Sequence, residues 1–202
     1  MQSDATVHVI DDDAAVCQSL ALLMHSVGIN VQCHTSAKAF LDTFDATRSG
    51  CLLLDIRMPE MSGLELQQEL KQRKIQTPVI ILTGHADVAL AVRAMKAGAM
   101  DVIEKPFHDQ DLLDSVTKAL AQSVEILQTQ QKQATFLERA SMLSPREQEI
   151  MNMYIDGKCG KVIAADLNIS PKTVNVHRGH ILEKMQVRSM IELVHLAMPD
   201  NT

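Results

Sequence analysis

Short apolar runs alternate with amphipathic stretches through residues 1–121 of this 202-residue chain, and the pattern turns wholly helical beyond them. Five runs rich in Val, Ile and Leu, at about 6–11, 29–34, 50–55, 78–83 and 100–104, have the length and unbroken hydrophobicity of strands buried on both faces. The segments between them carry apolar residues at helical spacing. Gly28 and Gly98 stand where the first and fourth helices should stop, Pro78 opens the fourth strand and Pro106 closes the fifth. Strand and helix in alternation predict an α/β fold, a doubly wound five-stranded parallel sheet. Ligands of such sheets bind at the carboxyl ends of the strands. No G-x-G-x-x-G follows the first strand, which argues against a dinucleotide site.

From residue 109 to 140 the chain is helix-compatible throughout. Leu113, Val116, Leu120, Val124 and Leu127 recur every three or four residues and predict one apolar stripe. Gln128, Gln130, Gln131 and Gln133 then make the chain polar, so 122–140 reads as a helical connector, with coiled-coil contact and plain linker both open. Residues 141–202 predict a small all-α domain. Ser144-Pro145-Arg146-Glu147 forms a capping box with proline at the first helical position, and Gly157 ends that helix. A short helix at about 161–168, a tight turn, a longer helix from Ser170-Pro171 to about Met185, and a last helix at 189–197 follow. A short helix, a turn and a basic longer helix make a helix-turn-helix pattern.

Composition adds limits. With 46% hydrophobic and 22% charged residues the chain has a globular balance, and no run of 18 apolar residues offers a membrane span. The N-terminus lacks a basic segment followed by an apolar one, which predicts a cytoplasmic protein without an export signal. Cys17, Cys33, Cys51 and Cys159 show no C-x-x-C spacing and read as small hydrophobes in a reducing compartment. The net charge of −6 is uneven: residues 1–121 hold 10 Lys+Arg against 16 Asp+Glu, whereas 141–202 hold 7 of each. Lys172, Arg178, Lys184 and Arg188 cluster late in the chain against Glu183 alone, so the two halves have different partners.

The candidate chemistry lies at the predicted strand ends. Asp11, Asp12 and Asp13 follow the first apolar run, and Asp55 ends the third. Carboxylates about 4 Å apart repel by roughly 4 kcal/mol at an effective dielectric near 20. That is a large share of a domain's net stability of about 5–15 kcal/mol. A hard divalent cation with oxygen ligands relieves the repulsion. Asp11 and Asp12 are therefore candidates to hold Mg²⁺, directly or through water, and Asp13 suits the first turn of the first helix. Asp55 can ligate the metal and act as a nucleophile on phosphorus. Thr83, followed by Gly84, and Lys105, followed by Pro106, face the same rim and offer a hydroxyl and an ammonium to phosphoryl oxygens.

In Val9-Ile10-Asp11-Asp12-Asp13, Leu54-Asp55-Ile56-Arg57-Met58-Pro59, Met61-Ser62-Gly63, Leu82-Thr83-Gly84-His85 and Ile103-Glu104-Lys105-Pro106-Phe107, residues 1–121 resemble the receiver domain of two-component response regulators. The resemblance implies a flavodoxin-like sheet of order 2-1-3-4-5 and Asp55 as acceptor of a phosphoryl group from a sensor histidine kinase. It also implies Mg²⁺ on Asp12, Asp55 and the main-chain carbonyl of Arg57 with Asp11 helping, phosphate contacts from Thr83 and Lys105, and a cis bond before Pro106. One position departs: where many receivers carry a switching aromatic on the fifth strand, this chain has Val102.

Residues 142–198, within the domain 141–202, resemble the LuxR-type helix-turn-helix domain in Leu143-Ser144-Pro145-Arg146-Glu147, Ile163-Ala164, Leu167-Asn168-Ile169-Ser170, Thr173-Val174, Val176-His177 and Lys184-Met185. Together the halves are similar to the NarL/FixJ family, its FixJ-like branch above all. On the longer helix Val174, Ile181, Leu182 and Met185 suit the core. Lys172, Asn175, Val176, Arg178 and Gly179 suit an outward, base-facing side; Asn can read adenine and Val can pack on a thymine methyl. Lys161, Thr173, His177 and Lys184 suit phosphates, which position rather than specify. Gly160 replaces the polar N-cap usual before the first helix of the motif, and Gly179 offers no base-reading side chain.

These features predict a phosphorylation-dependent transcription regulator that dimerises through about 86–121, binds double-stranded operator DNA and can engage RNA polymerase. It is not an enzyme beyond its own phosphorylation and dephosphorylation. The alternatives are a receiver serving only as a dimerisation module, and a metal-dependent phosphotransfer enzyme acting on a small molecule.

Overall fold

A computed structural model describes residues 5–84 and 88–197. The chain divides into two compact units, residues 1–127 and 128–202. The division falls inside the segment 122–140.

In the first unit β1 (Thr6–Ile10), β2 (Asn30–His34), β3 (Gly50–Asp55), β4 (Val79–Thr83) and β5 (Asp101–Glu104) form one sheet of order β2-β1-β3-β4-β5. Every pairing is parallel, with Thr6 opposite both Asn30 and Gly50, and Thr83 opposite Glu104. The central strands β3 and β4 are buried almost throughout, as their unbroken Leu, Ile and Val runs require. The edge strands are not: β2 exposes Asn30, Gln32 and Cys33, and β5 is half-buried. β3 matches the sequence expectation, and the other four strands are each one residue shorter. Asp11 and Lys105 lie just past β1 and β5, and Pro78, which has no N–H to donate, precedes β4.

The helices α1 (Ala14–Ser26), α2 (Ala37–Thr43), α3 (Gly63–Gln72), α4 (Val88–Ala97) and the start of α5 (Asp109–Ser141) cover the two faces. One core gathers Phe40, Leu52, Leu54, Leu66 and Ile81; the other gathers Met24, Leu53, Ile80, Leu112 and Val116. Gly28 and Gly98 take positive φ, 74° and 103°, immediately beyond α1 and α4, where a side chain would strain the backbone. Asp13 is the N-cap of α1 rather than part of its first turn; its side chain accepts from the Ala15 N–H at 2.8 Å.

The stripe expected on α5 is offset. Leu112, Ser115, Val116, Ala119 and Ser123 are buried, whereas Leu113 and Leu120 are half-buried and Val124 is exposed. Small side chains let α5 approach the sheet, and polar bonds satisfy them. Ser123 Oγ accepts from Gly50 N–H at 3.2 Å, and Ser115 bonds the Asp101 carboxylate. α5 continues without a break through 122–140.

The second unit holds α6 (Pro145–Ile155), α7 (Gly160–Asp166), α8 (Pro171–Lys184) and α9 (Met190–Ala197). They enclose Ile150, Ile163, Val174, Ile181, Met185 and Leu193. Leu182, expected in that core, is only half-buried. The capping box at Ser144 and Glu147 forms in both directions. The expected N-cap of α7 moves by one residue: Cys159 is the cap, without a capping side-chain hydrogen bond, and Gly160 is the first helical residue. A Cβ on Gly160 would come within 3.1 Å of the Tyr154 hydroxyl, which gives the glycine a packing reason.

Candidate functional site

Parallel strands deliver their carboxyl ends to one edge, and the adjacency of β1, β3, β4 and β5 brings the expected residues together there. Asp11 is buried, 3% exposed, and its Oδ1 accepts from the Asp13 N–H at 2.9 Å. Asp12 beside it is exposed. Asp55 Oδ2 accepts from the Arg57 N–H at 2.6 Å, which fixes the loop that carries the Arg57 carbonyl.

One ammonium joins the acids. Lys105 Nζ lies 2.8 Å from Asp11 Oδ2 and 2.7 Å from Asp55 Oδ1. Burial opposes its charge, but the hydrogen bonds to Asp11 and Asp55 outweigh that effect, and its pKa is raised above the ordinary lysine value. The sequence expectation gave Lys105 a phosphoryl oxygen as partner; its bridging of the two acids was not anticipated. The Lys105–Pro106 bond is cis. The Lys105 N–H donates to the Thr83 carbonyl at 2.7 Å, so the ends of β4 and β5 are tied side by side. Thr83 is nearly buried, and the space around Gly84 is open. His85, in the matching motif, lies outside the described residues.

Gly63 supports the site from behind. A Cβ there would stand 2.3 Å from the Asp55 carbonyl oxygen, and the Gly63 N–H donates to Ile56 at 3.0 Å. Only glycine lets α3 start this close to the Asp55 backbone.

The donor set suits a hard cation: carboxylates of Asp11, Asp12 and Asp55, with backbone carbonyls at hand. Asp11 and Asp55 already share one cation in Lys105, the response expected of acids that need compensation.

In the second unit Lys172, Asn175, Val176 and Arg178 are all exposed on α8, and Lys161 is exposed on α7. Thr173 is engaged locally, its hydroxyl 2.8 Å from Ser170 Oγ. Lys184 and His177 are only half-exposed. Lys184 Nζ is 2.6 Å from Glu147 Oε2, so it joins α8 to α6 in addition to any role toward DNA. The Glu147 carboxyl is held down at about 2, first by the Lys184 hydrogen bond and then by the Ser144 N–H. Sequence reasoning used Glu147 only as a capping residue. Arg139, also unanticipated, donates to the Met185 carbonyl at 2.9 Å at the end of α8.

The model of the response regulator receiver domain matches residues 7–117, and that of the luxR family of bacterial regulatory proteins matches residues 141–197. The chain belongs to the response regulators. This response regulator is 45% identical to the transcriptional regulatory protein FixJ of Azorhizobium caulinodans over 98% of its own length and 94% of that protein's. It is 40% identical to the response regulator protein TodT of Pseudomonas putida, over 95% of this chain and 85% of TodT. Among solved structures it is similar to the response regulator StyR, at TM-score 0.81 and 40% identity over 96% of this chain and 98% of that one. It is also similar to full-length FixJ from B. japonicum, at TM-score 0.58 and 40% identity over 97% of each chain. With a receiver and a LuxR-type domain in one chain, this response regulator is a phosphorylation-dependent regulator of transcription. Among the described residues no helix is long and apolar enough to cross a membrane.

Proposed function

We propose that Asp55 is the phosphoryl acceptor and that residues 1–121, 122–140 and 141–202 act as receiver, helical connector and DNA-binding domain. The observation that carries this is the Lys105 ammonium shared between Asp55 and the buried Asp11 at the mouth of the sheet. An oxygen of Asp55 attacks the phosphorus of a phosphohistidine on a sensor kinase; the P–N bond breaks, the imidazole leaves, and an acyl phosphate forms. Mg²⁺ held by Asp11, Asp12, Asp55 and the Arg57 carbonyl would neutralise the incoming phosphoryl oxygens. Lys105 then pairs with a phosphoryl oxygen, and the Thr83 hydroxyl takes another.

The added charge favours pairing of two receivers through α4, β5 and α5. The supporting feature is an exposed apolar stripe on α4, Val88, Val92 and Met95, at helical spacing. Residues 86 and 87 of the expected surface lie outside the described residues. A dimer presents two α8 helices to two half-sites. There Lys172, Asn175, Val176 and Arg178 face bases, and Lys161, Thr173, His177 and Lys184 face phosphates. A tenfold activation requires only about 1.4 kcal/mol of preference for the active form. The protein acts in the cytoplasm, where sensor kinase and DNA are both accessible, and contact with RNA polymerase follows if it activates transcription.

The test is covalent phosphate incorporation from a small phosphoryl donor with Mg²⁺. Wild type should incorporate phosphate and bind DNA more tightly afterwards, and Asp55→Asn should lose both with its circular dichroism unchanged. Incorporation at wild-type level in Asp55→Asn would overturn the assignment.

A further inference from the structure

Glu147, His177 and His180 belong to the second unit, and one ligand atom from each falls within 4.8 Å of the others. His177 and His180 are three residues apart on α8, so both rings leave the same side of the helix. Glu147 comes from α6 and is buried, 4% exposed. Its Oε2 is fully engaged, accepting from the Ser144 N–H at 2.8 Å and from Lys184 at 2.6 Å. Its Oε1 faces His180 Nδ1 at 3.6 Å, beyond a good hydrogen bond. A carboxylate oxygen and one ring nitrogen from each histidine thus lie close together, and His177 carries a buried ring nitrogen, Nδ1, with no hydrogen-bond partner. A buried polar atom left unpaired costs about 1–3 kcal/mol, so an orphan of this kind calls for a partner.

We propose that Glu147, His177 and His180 form a binding site for a transition-metal dication of the zinc class. Two imidazoles and one carboxylate are the ligand set of borderline metals rather than of Mg²⁺ or Ca²⁺. Metal–ligand bonds of about 2.0–2.2 Å require the three ligand atoms to close in slightly, and His180, 55% exposed, is free to swing. Three protein ligands leave the fourth tetrahedral position to solvent on the His180 side. Lys184 is not displaced, because it occupies the other carboxylate oxygen and keeps Glu147 ionised. The metal fastens α8 to α6 at the mid-length of α8. Zinc therefore stabilises the helix whose exposed side carries Lys172, Asn175 and Arg178.

The experiment uses the full chain, stripped of metal, titrated with Zn²⁺ alone and followed by calorimetry and thermal unfolding. Wild type should bind one more equivalent of Zn²⁺ than His180→Ala, which lacks one of the three ligands. Zinc should raise the unfolding temperature of the second unit in wild type only. His180 is exposed, so its replacement leaves the core intact. His180→Cys restores a ligand, and with Co²⁺ should give a thiolate-to-cobalt charge-transfer band that wild type lacks. Equal zinc stoichiometry and equal stabilisation in wild type and His180→Ala would overturn the site, as would the absence of the charge-transfer band in His180→Cys.

Discussion

Lys105 pairs one ammonium with two carboxylates carried at the ends of two different strands. Its removal leaves buried Asp11 beside Asp55 without compensation. Lys105→Met should lower stability in chelator by about 1.5–3 kcal/mol, the range for hydrogen bonds to charged groups. Urea unfolding with and without Mg²⁺ checks it: Mg²⁺ should stabilise the variant more than wild type, and an equal gain would show that the acids do not depend on the lysine. Val102 raises a separate question. It pairs with Ile81 in the sheet and packs, half-buried, on the core that contains Ile81 and Ala94. It touches none of Asp11, Asp55 or Lys105 through a hydrogen bond; its N–H donates to Asp101 at 2.8 Å. Val102→Phe should therefore leave phosphate incorporation intact while altering the phosphorylation-dependent gain in DNA affinity. Complete loss of incorporation would place Val102 in the chemistry instead of the signal.

At the scale of elements, the acceptor depends on where α3 begins. Ser62 and Glu65 close a reciprocal capping box at its start, and Gly63 lies directly behind the Asp55 backbone. Gly63→Ala forces a methyl group to within 2.3 Å of the Asp55 carbonyl oxygen unless the strand or helix moves. Overpacking of this kind costs about 1–3 kcal/mol. The variant should unfold at lower urea and incorporate phosphate more slowly, whereas unchanged kinetics would mean the backbone shift spares Asp55. The capping boxes at Ser62 and Ser144 were legible because the cap and its partner are three residues apart in sequence. The buried face of α5 was not. Beside Leu112 and Val116 it buries Ser115, Ala119 and Ser123, whose small or polar side chains carry little hydrophobic signal. The sheet, not the sequence of the helix, decides which of them it covers.

For the whole molecule, half-buried His8 and buried Glu147 give the two units different acid sensitivities. Burial, and secondarily the charge of His34, lowers the His8 pKa from 6.5 to about 4 in the first unit. His8 stacks on His34 and meets Phe40 and Phe44 edge-on. A lowered histidine pKa means the unfolded chain takes up the proton first. The stability associated with neutral His8 is therefore full above about pH 6.5 and lost as pH falls toward about 4. Glu147, lowered from 4.5 to about 2 in the second unit, contributes stability that persists to about pH 4.5 and disappears as pH falls toward 2. Lys184, Ser144, His180 and His177 are the groups that face it. The chain has one tyrosine, Tyr154, and no tryptophan, so intrinsic fluorescence reports the second unit alone. Circular dichroism should lose stability at higher pH than tyrosine fluorescence does. His8→Gln should flatten the first dependence and Glu147→Gln the second; coincident profiles in all three proteins would refute separate origins. Sequence by itself determined the alternation of strands and helices, the end-of-strand placement of Asp55, Thr83 and Lys105, and the helix-turn-helix. Each is a local pattern of hydrophobicity, turns and caps, and the family motifs are contiguous. Tertiary structure alone decided that Lys105 bridges Asp11 and Asp55, that Lys184 holds Glu147, and that His177 and His180 face that carboxylate. Those partners lie between 30 and 94 positions apart in the chain. No periodicity in a sequence specifies which distant charge fills the remaining coordination of a buried one; that follows from strand order and helix packing.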